Sequence, residues 1–259
     1  MALSKRSDSD LRKDPLISII TPVLNCEDLL ENHIQMVKSQ TYSKIEHIII
    51  DGGSSDNTVD ILKLKNNEID YWISEPDQGI YDAMNKGVDA ANGRWLFFAG
   101  VDDNFLSRQT LEQVFKRHKI AAATQLICGK VIRSDGKLIK SRFNNLLYYK
   151  NTLPHQGVFY RRDIFEDYRY SGFKKKNQHH FYKISGDYHL NLFLFMNGVK
   201  HQFLDCVIMR CGHGKSMAGS FTGYLEEIII RHFFIGHSKS IIFDLLSVLR
   251  YFRQRFFIN

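Results

Sequence analysis

Three short apolar runs each end on a proline, a glycine turn or acidic residues, and that rhythm constrains the fold more than any other feature. Leu16–Thr21 (LISIIT) meets Pro22, Ile45–Ile50 (IEHIII) meets Asp51-Gly52-Gly53, and Trp95–Ala99 runs into Val101-Asp102-Asp103. Runs this short, rich in β-branched and aromatic residues, read as buried strands. Segments of helical spacing lie between them. Glu27–Gln40 puts Leu30, Ile34 and Val37 on one side, a second helix runs from about Asp56 to Lys65, and a third covers Gly79–Asn92 with Gly93 as its C′ residue. Tyr71–Ser74 is a further short strand. Strands alternating with helices predict βαβ units and a mainly parallel sheet, whose ligands bind outside the carboxyl ends of the strands.

The second half predicts a helix from Ser107 to about Lys119 and a hairpin of 126–133 with 137–143, turning at Asp135-Gly136. A strand at Gly157–Tyr160, a helix at Gly186–Asn197 and a strand at Gln202–Met209 follow. Cys211–Ser220 reads as a loop, and the pattern is helical from Tyr224 onward. The fold class is α/β, with a mixed, mainly parallel sheet and a helical C-terminal tail.

The net charge of +7 suits an anionic partner: a nucleotide, a nucleic acid or an acidic membrane face. A nucleic-acid module needs a basic stripe with exposed aromatics. Outside the C-terminal tail the cations are interspersed with acidic residues, so no nucleic-acid partner is expected. Cys26, Cys128, Cys206 and Cys211 form no CxxC pair or zinc spacing and read as reduced and structural. No apolar run is long enough to cross a bilayer, and the polar N-terminus lacks a signal peptide's apolar centre. A cytoplasmic protein is expected.

Six places combine chemistry with position. Asp51 follows three isoleucines, where a carboxylate can meet a base or ribose, while Ser54 and Asp56 suit a turn and a helix cap equally well. Asp77 and Lys86 sit at and inside a helix start, either as an anion site or as ordinary capping. Asp102-Asp103 suits a hard divalent cation or a solvated turn. His155-Gln156 precedes a strand, and His213 lies in a glycine-flanked loop with Lys215. Asp187, at a helix start, is either an N-terminal cap or a general base.

Together, the stretches ISIITPVLN, IIIDGGSSDNTVDIL and ISEPDQGIYDAMNKGVDAANGRW resemble family 2 of the nucleotide-diphospho-sugar glycosyltransferases, over about Ile17 to Ser216. The last stretch is similar to a subgroup that makes bacterial surface polysaccharides, including colanic-acid-type enzymes. The resemblance implies a GT-A fold and an inverting, metal-dependent transfer from a nucleotide sugar, with UDP expected as the nucleotide. It implies a nucleotide-sugar half over 16–104 and an acceptor half over 105–220, while composition and pattern make 1–15 a disordered tail and 221–259 a helical, basic-aromatic segment. Thr21, Pro22, Asn25 and Gly53 would line the nucleotide pocket, Asp51 would meet the base, and Asp77 and Lys86 would lie near the ribose and diphosphate. Asp103 would be the direct ligand of Mn²⁺ or Mg²⁺, with Asp102 assisting and His213 joining from the late loop. His155 and Gln156 would lie beside the sugar and acceptor, and Asp187 would be the base. The acidic motif departs from the family pattern in reading Gly100-Val101-Asp102-Asp103, without a strict DxD, and the late loop reads CGHGKS.

The tail mixes apolar, aromatic and basic residues, with Arg250, Arg253 and Arg255 set among Tyr251, Phe252, Phe256 and Phe257. That composition suits peripheral contact with an anionic membrane bearing a polyprenyl-linked or glycan acceptor, or packing on the domain or a second copy as a homodimer. The enzymatic rival, a sugar-1-phosphate nucleotidyltransferase, would carry a glycine-rich basic loop after the first strand. That position reads TPVLNCEDLL.

Overall fold

The computed structural model describes residues 14–166, 168–170, 172–173, 182–212 and 220–257. The first half runs β1 (Ile17–Val23), α1 (Glu27–Lys38), β2 (Ile45–Asp51), α2 (Thr58–Leu64), β3 (Tyr71–Ser74), α3 (Ile80–Ala90) and β4 (Trp95–Phe98). The four strands lie side by side as β3-β2-β1-β4, all parallel. Their side chains alternate between two cores. Ile20, Ile48 and Ile50 face Ala83, Met84 and Val88 of α3, while Ile17 and Ile19 pack with Val37 of α1. The expected stripe of α1 is the buried one: Leu30, Ile34 and Val37, joined by His33.

Two sequence expectations need correction here. Pro22 does not stop β1; it pairs in register with Ile50. The Ile20 carbonyl accepts from Ala99 on the β4 side, and the Val23 carbonyl accepts from Gly52 on the β2 side. Alternation turns the Pro22 nitrogen toward β4, which has already ended, so no ladder bond is lost. Gly93 is not a left-handed helix cap, since its φ is not positive. A Cβ there would press on the Ser18 hydroxyl and backbone nitrogen, and the Gly93 N–H donates to Ser18 Oγ at 2.8 Å. This glycine admits β1.

The second half adds β5 (Asn104–Phe105), a short helix α4 (Thr110–Glu112) that continues as a π-helical turn over Gln113–Arg117, β6 (Leu126–Ile132), β7 (Leu138–Lys140) and β8 (Val158–Arg161). After these come β9 (Tyr168–Arg169), β10 (Gly172–Phe173), α5 (Gly186–Met196), β11 (His201–Arg210), α6 (Phe221–Ile235) and α7 (His237–Phe257). The main sheet has nine strands in the order β3-β2-β1-β4-β8-β6-β11-β5, with β7 on β6. β8 runs antiparallel to both β4 and β6 and joins the halves into one sheet.

α6 and α7 are separated at Gly236, whose φ is +77°. Arg231 of α6 is fully buried. Its guanidinium donates to Asp244 Oδ1 at 3.0 Å, Ser247 Oγ at 3.0 Å and the Tyr149 carbonyl at 2.9 Å. The tail therefore packs on the domain. Arg250 does not face outward: it pairs with Glu227 and lies 5.1 Å and 4.6 Å from the ring centroids of Tyr149 and Tyr224. Ile241, Ile242, Leu245, Leu249 and Phe252 remain exposed. Among the described residues, no helix is long and apolar enough to cross a membrane.

Candidate functional site

The turn after β2 is built around Asp51. Its carboxylate is completely buried and accepts from the Gly53 and Ser54 N–H groups at 3.2 and 3.0 Å, from Ser74 Oγ at 2.6 Å and from Ser54 Oγ. The turn does require a carboxylate after the isoleucines, which the sequence did not disclose. Gly53 takes φ +86°, and Asn25 takes φ +51°. Asn25 Oδ1 accepts from the Ser55 N–H at 2.9 Å, and the Asn25 N–H donates to Ser54 Oγ at 2.7 Å, so the loops after β1 and β2 are tied together. Thr21 does not line a pocket. It is fully buried, with Oγ1 at 2.9 Å from His33 Nε2 and 3.2 Å from His47 Nε2, because strand alternation turns it toward α1. Pro22, on the opposite face of β1, is half-buried.

Asp77 and Lys86 flank the start of α3. Asp77 Oδ1 accepts from the Gly79 N–H at 2.8 Å, and its carboxylate rests on Gly52. Lys86 Nζ lies 2.8 Å from Glu75 and 3.6 Å from Asp82, and donates to the Pro76 carbonyl at 3.2 Å. This ammonium is already shared among its own neighbours.

The acidic pair divides its labour. Asp103, the expected direct ligand, is 3% exposed, and its two oxygens accept the Gly100 and Gly212 N–H groups at 2.9 and 3.0 Å. Burial pushes its carboxyl up, against the opposing pull of those N–H groups and of His155. Asp102 is the more open of the two. A Cβ at Gly212 would collide with the Asp102 carboxylate, so the chain just after β11 is laid directly on the pair. Among the described residues no group of three His, Cys, Asp or Glu side chains could hold a metal. The pair offers hard oxygens that fit Mg²⁺ or Mn²⁺ only where other oxygens, such as those of a diphosphate, complete the shell. His213 lies outside the described residues.

Cys26, just before α1, feels several of these carboxylates. Burial raises its thiol pKa, and the charges of Asp56, Asp102 and Asp51 raise it further. His155 and Asp187 stand together, and His155 also feels the charge of Asp103. His155 Nδ1 is 3.6 Å from Asp187 Oδ2. Burial would lower the imidazole pKa, but its contact with Asp187 and the charges of Asp187 and Asp103 carry it upward. Gln156 is half-buried beside it.

Asp187 stands in the first turn of α5 with its side chain 18% exposed. Asn151 Nδ2 donates to Oδ2 at 2.7 Å, while Oδ1 accepts from the Tyr188 N–H at 2.8 Å and lies 3.4 Å from the Tyr81 hydroxyl. Three supporting residues escaped the sequence reading: Asn151, Tyr81 and Glu226. Glu226 of α6 accepts the N–H groups of Lys183, Ile184 and Ser185 at 2.8, 3.0 and 2.7 Å, anchoring the backbone just before Asp187. The available signal was a pair of glutamates in the apolar run YLEEIIIRHFF.

Comparison with known proteins bears on this arrangement. The family model described as glycosyl transferase family 2 matches residues 18–184. A "PGL/p-HBAD biosynthesis glycosyltransferase" of Mycobacterium bovis is 36% identical over 156 residues, 58% of this chain and 61% of the relative. The chain thus spans about three-fifths of the length of that relative. Among solved structures, S. aureus TarS 1-349 in complex with UDP superposes with a TM-score of 0.63 at 16% identity, covering 93% of this chain and 72% of that one. Glucosyl-3-phosphoglycerate synthase from Mycobacterium tuberculosis, in complex with Mn²⁺, UDP and glucosyl-3-phosphoglycerate, gives 0.58 at 12% identity, covering 84% and 80%. These two likenesses establish the fold.

Proposed function

We propose, from the premise that this chain belongs to glycosyl transferase family 2 and has the GT-A fold, that it moves a sugar from a UDP-sugar to an acceptor hydroxyl with inversion, using Asp187 as the base. The observation that carries this reading is the placement of Asp187. It is a partly open carboxylate oriented by Asn151, beside His155, at the edge of the rim that holds Asp102 and Asp103.

The donor would lie across the ends of β1, β2 and β4, with its base near the Asn25–Ser55 clasp and its diphosphate toward Asp102. A divalent cation, when bound there, would neutralise charge on the leaving diphosphate. Asp187 would accept the acceptor's proton as its oxygen attacks the anomeric carbon from the opposite side. One carboxylate suffices for that displacement, unlike the carboxyl pair of glycoside hydrolysis. His155 Nδ1, 3.6 Å from Asp187 Oδ2, would help hold that carboxylate in place. A glycan or polyprenyl-linked acceptor at the inner face of an anionic membrane, reached through the exposed apolar face of α7, agrees with this reading; the same face also suits a homodimer.

A thermal-shift panel of UDP-, GDP- and dTDP-sugars with and without Mn²⁺ tests it. One UDP-sugar should stabilise the chain, more so with metal. Stabilisation by none of them would remove the proposal.

A further inference from the structure

The geometry points to an acceptor that carries a phosphate or diphosphate, seated in a cationic groove that opens beside Asp187. The inference rests on the transferase reading above and adds the chemical class of the acceptor.

The groove has a volume of about 1180 Å³ and runs between the β6–β7 hairpin, the segment 142–154 and the C-terminal helices. Among the described residues, six cations line it: Arg133, Lys137, Lys140, Arg142, Lys150 and Arg250. Glu227 is the single carboxylate among those lining residues, and that group is already paired with Arg250. Arg133 is paired with Asp135. Among the described residues, Lys137, Lys140, Arg142 and Lys150 form no ion pair, and all four are exposed.

Like charges gathered on one wall repel each other, and a bound anion relieves that repulsion. Lysine and arginine together suit phosphate oxygens, and a diphosphate carries enough charge to engage several of them at once. The inner end of the groove reaches the proposed chemistry. Asn151 lines it and donates to Asp187 Oδ2 at 2.7 Å, and Pro154 lines it next to His155. An acceptor anchored by its phosphate along this wall would present a nearby hydroxyl to the Asp187 carboxylate. Leu138, Ile139, Leu146 and Tyr149 give the same groove an apolar side, which fits a phosphate borne on a lipid as well as one borne on a saccharide.

Isothermal titration of the full chain tests the assignment. UDP binding is measured first and checks the transferase reading alone. With UDP saturating, inorganic pyrophosphate, farnesyl diphosphate and glucose 6-phosphate are titrated in turn. At least one should bind, and the R142Q/K150Q and K137Q/K140Q variants should weaken it about tenfold or more while UDP affinity holds. Farnesyl diphosphate binding tighter than pyrophosphate identifies a lipid-borne phosphate; preference for glucose 6-phosphate identifies a saccharide-borne one. UDP binding with no phosphate probe bound, or with probes bound by both variants as tightly as by the unsubstituted chain, overturns the groove assignment. Failure to bind UDP overturns the transferase reading and the acceptor class with it.

Discussion

Asp51 and Asp187 are the same side chain in two different situations. Asp51 is sealed: four donors, three from within the following three residues and one from Ser74, saturate it. Asp187 is partly open, and its side-chain neighbours arrive from far along the chain, Asn151 from 36 residues away and Tyr81 from 106. A carboxylate satisfied by its own turn builds architecture. One oriented by distant side chains, with a face left open, has an oxygen available for a proton.

The sharpest way to break that comparison is to neutralise both. D187N should lower kcat about 10²–10⁴-fold and leave UDP affinity unchanged. D51N should act through stability instead, costing about 1–3 kcal/mol because the amide must face backbone donors. Steady-state kinetics beside urea unfolding separates them, and equal kcat losses at matched folded fraction would erase the distinction. In the tail, R231A should cost about 3–5 kcal/mol in urea unfolding, since Asp244 would be left beside an emptied buried site. R250A should cost less, because Glu227 keeps the Arg231 guanidinium 3.9 Å away.

A pH titration sharpens the contrast inside the first half. Burial holds the His33 imidazole down to about 4, from an ordinary 6.5, against weaker upward pulls from Val101, Asp102 and Asp103. Burial, with His33 beside it, holds His47 down as well. The unfolded chain therefore takes up the proton first. The His33 contribution to stability should be complete above about pH 6.5, fall as pH drops through the interval between the two values and level off below about 4, a loss of about 2 kcal/mol at pH 5. Urea midpoints at pH 7 and pH 5 measure this, and H33Q should flatten the curve. The smallest effect is expected at the loop clasp. N25A removes the acceptor for the Ser55 N–H from a residue held at φ +51° and should cost about 1 kcal/mol by the same assay.

The strands β1, β2 and β4 were legible to within about two residues because burial on both faces writes itself as unbroken apolar runs, and the half-buried edge strand β3 was legible from its short aromatic and β-branched run. Pro22 and Gly93 were misread because their roles depend on neighbouring strands: where β4 ends, and how closely β1 approaches. Thr21 was misassigned because the residue before a strand's rim can face either layer. Asp51 and Asp102-Asp103 were found as positions, but which oxygens remain free is decided by Ser74, Gly100 and Gly212. Around Asp187 the support was invisible, since Glu226 grips backbone some 40 residues upstream and no local pattern encodes that reach. The expected helix from Ser107 to Lys119 shrank to one α turn and a π turn.

Arg231 has a consequence for any attempt to retarget this protein. Its guanidinium fastens the Tyr149 carbonyl to Asp244 and Ser247, so the loop that carries Asn151 and the last helix form one mechanical unit. A chimera that borrowed the loop from a relative and kept the native tail would break that fastening. Grafts meant to change the acceptor have to transplant loop and tail as a matched set.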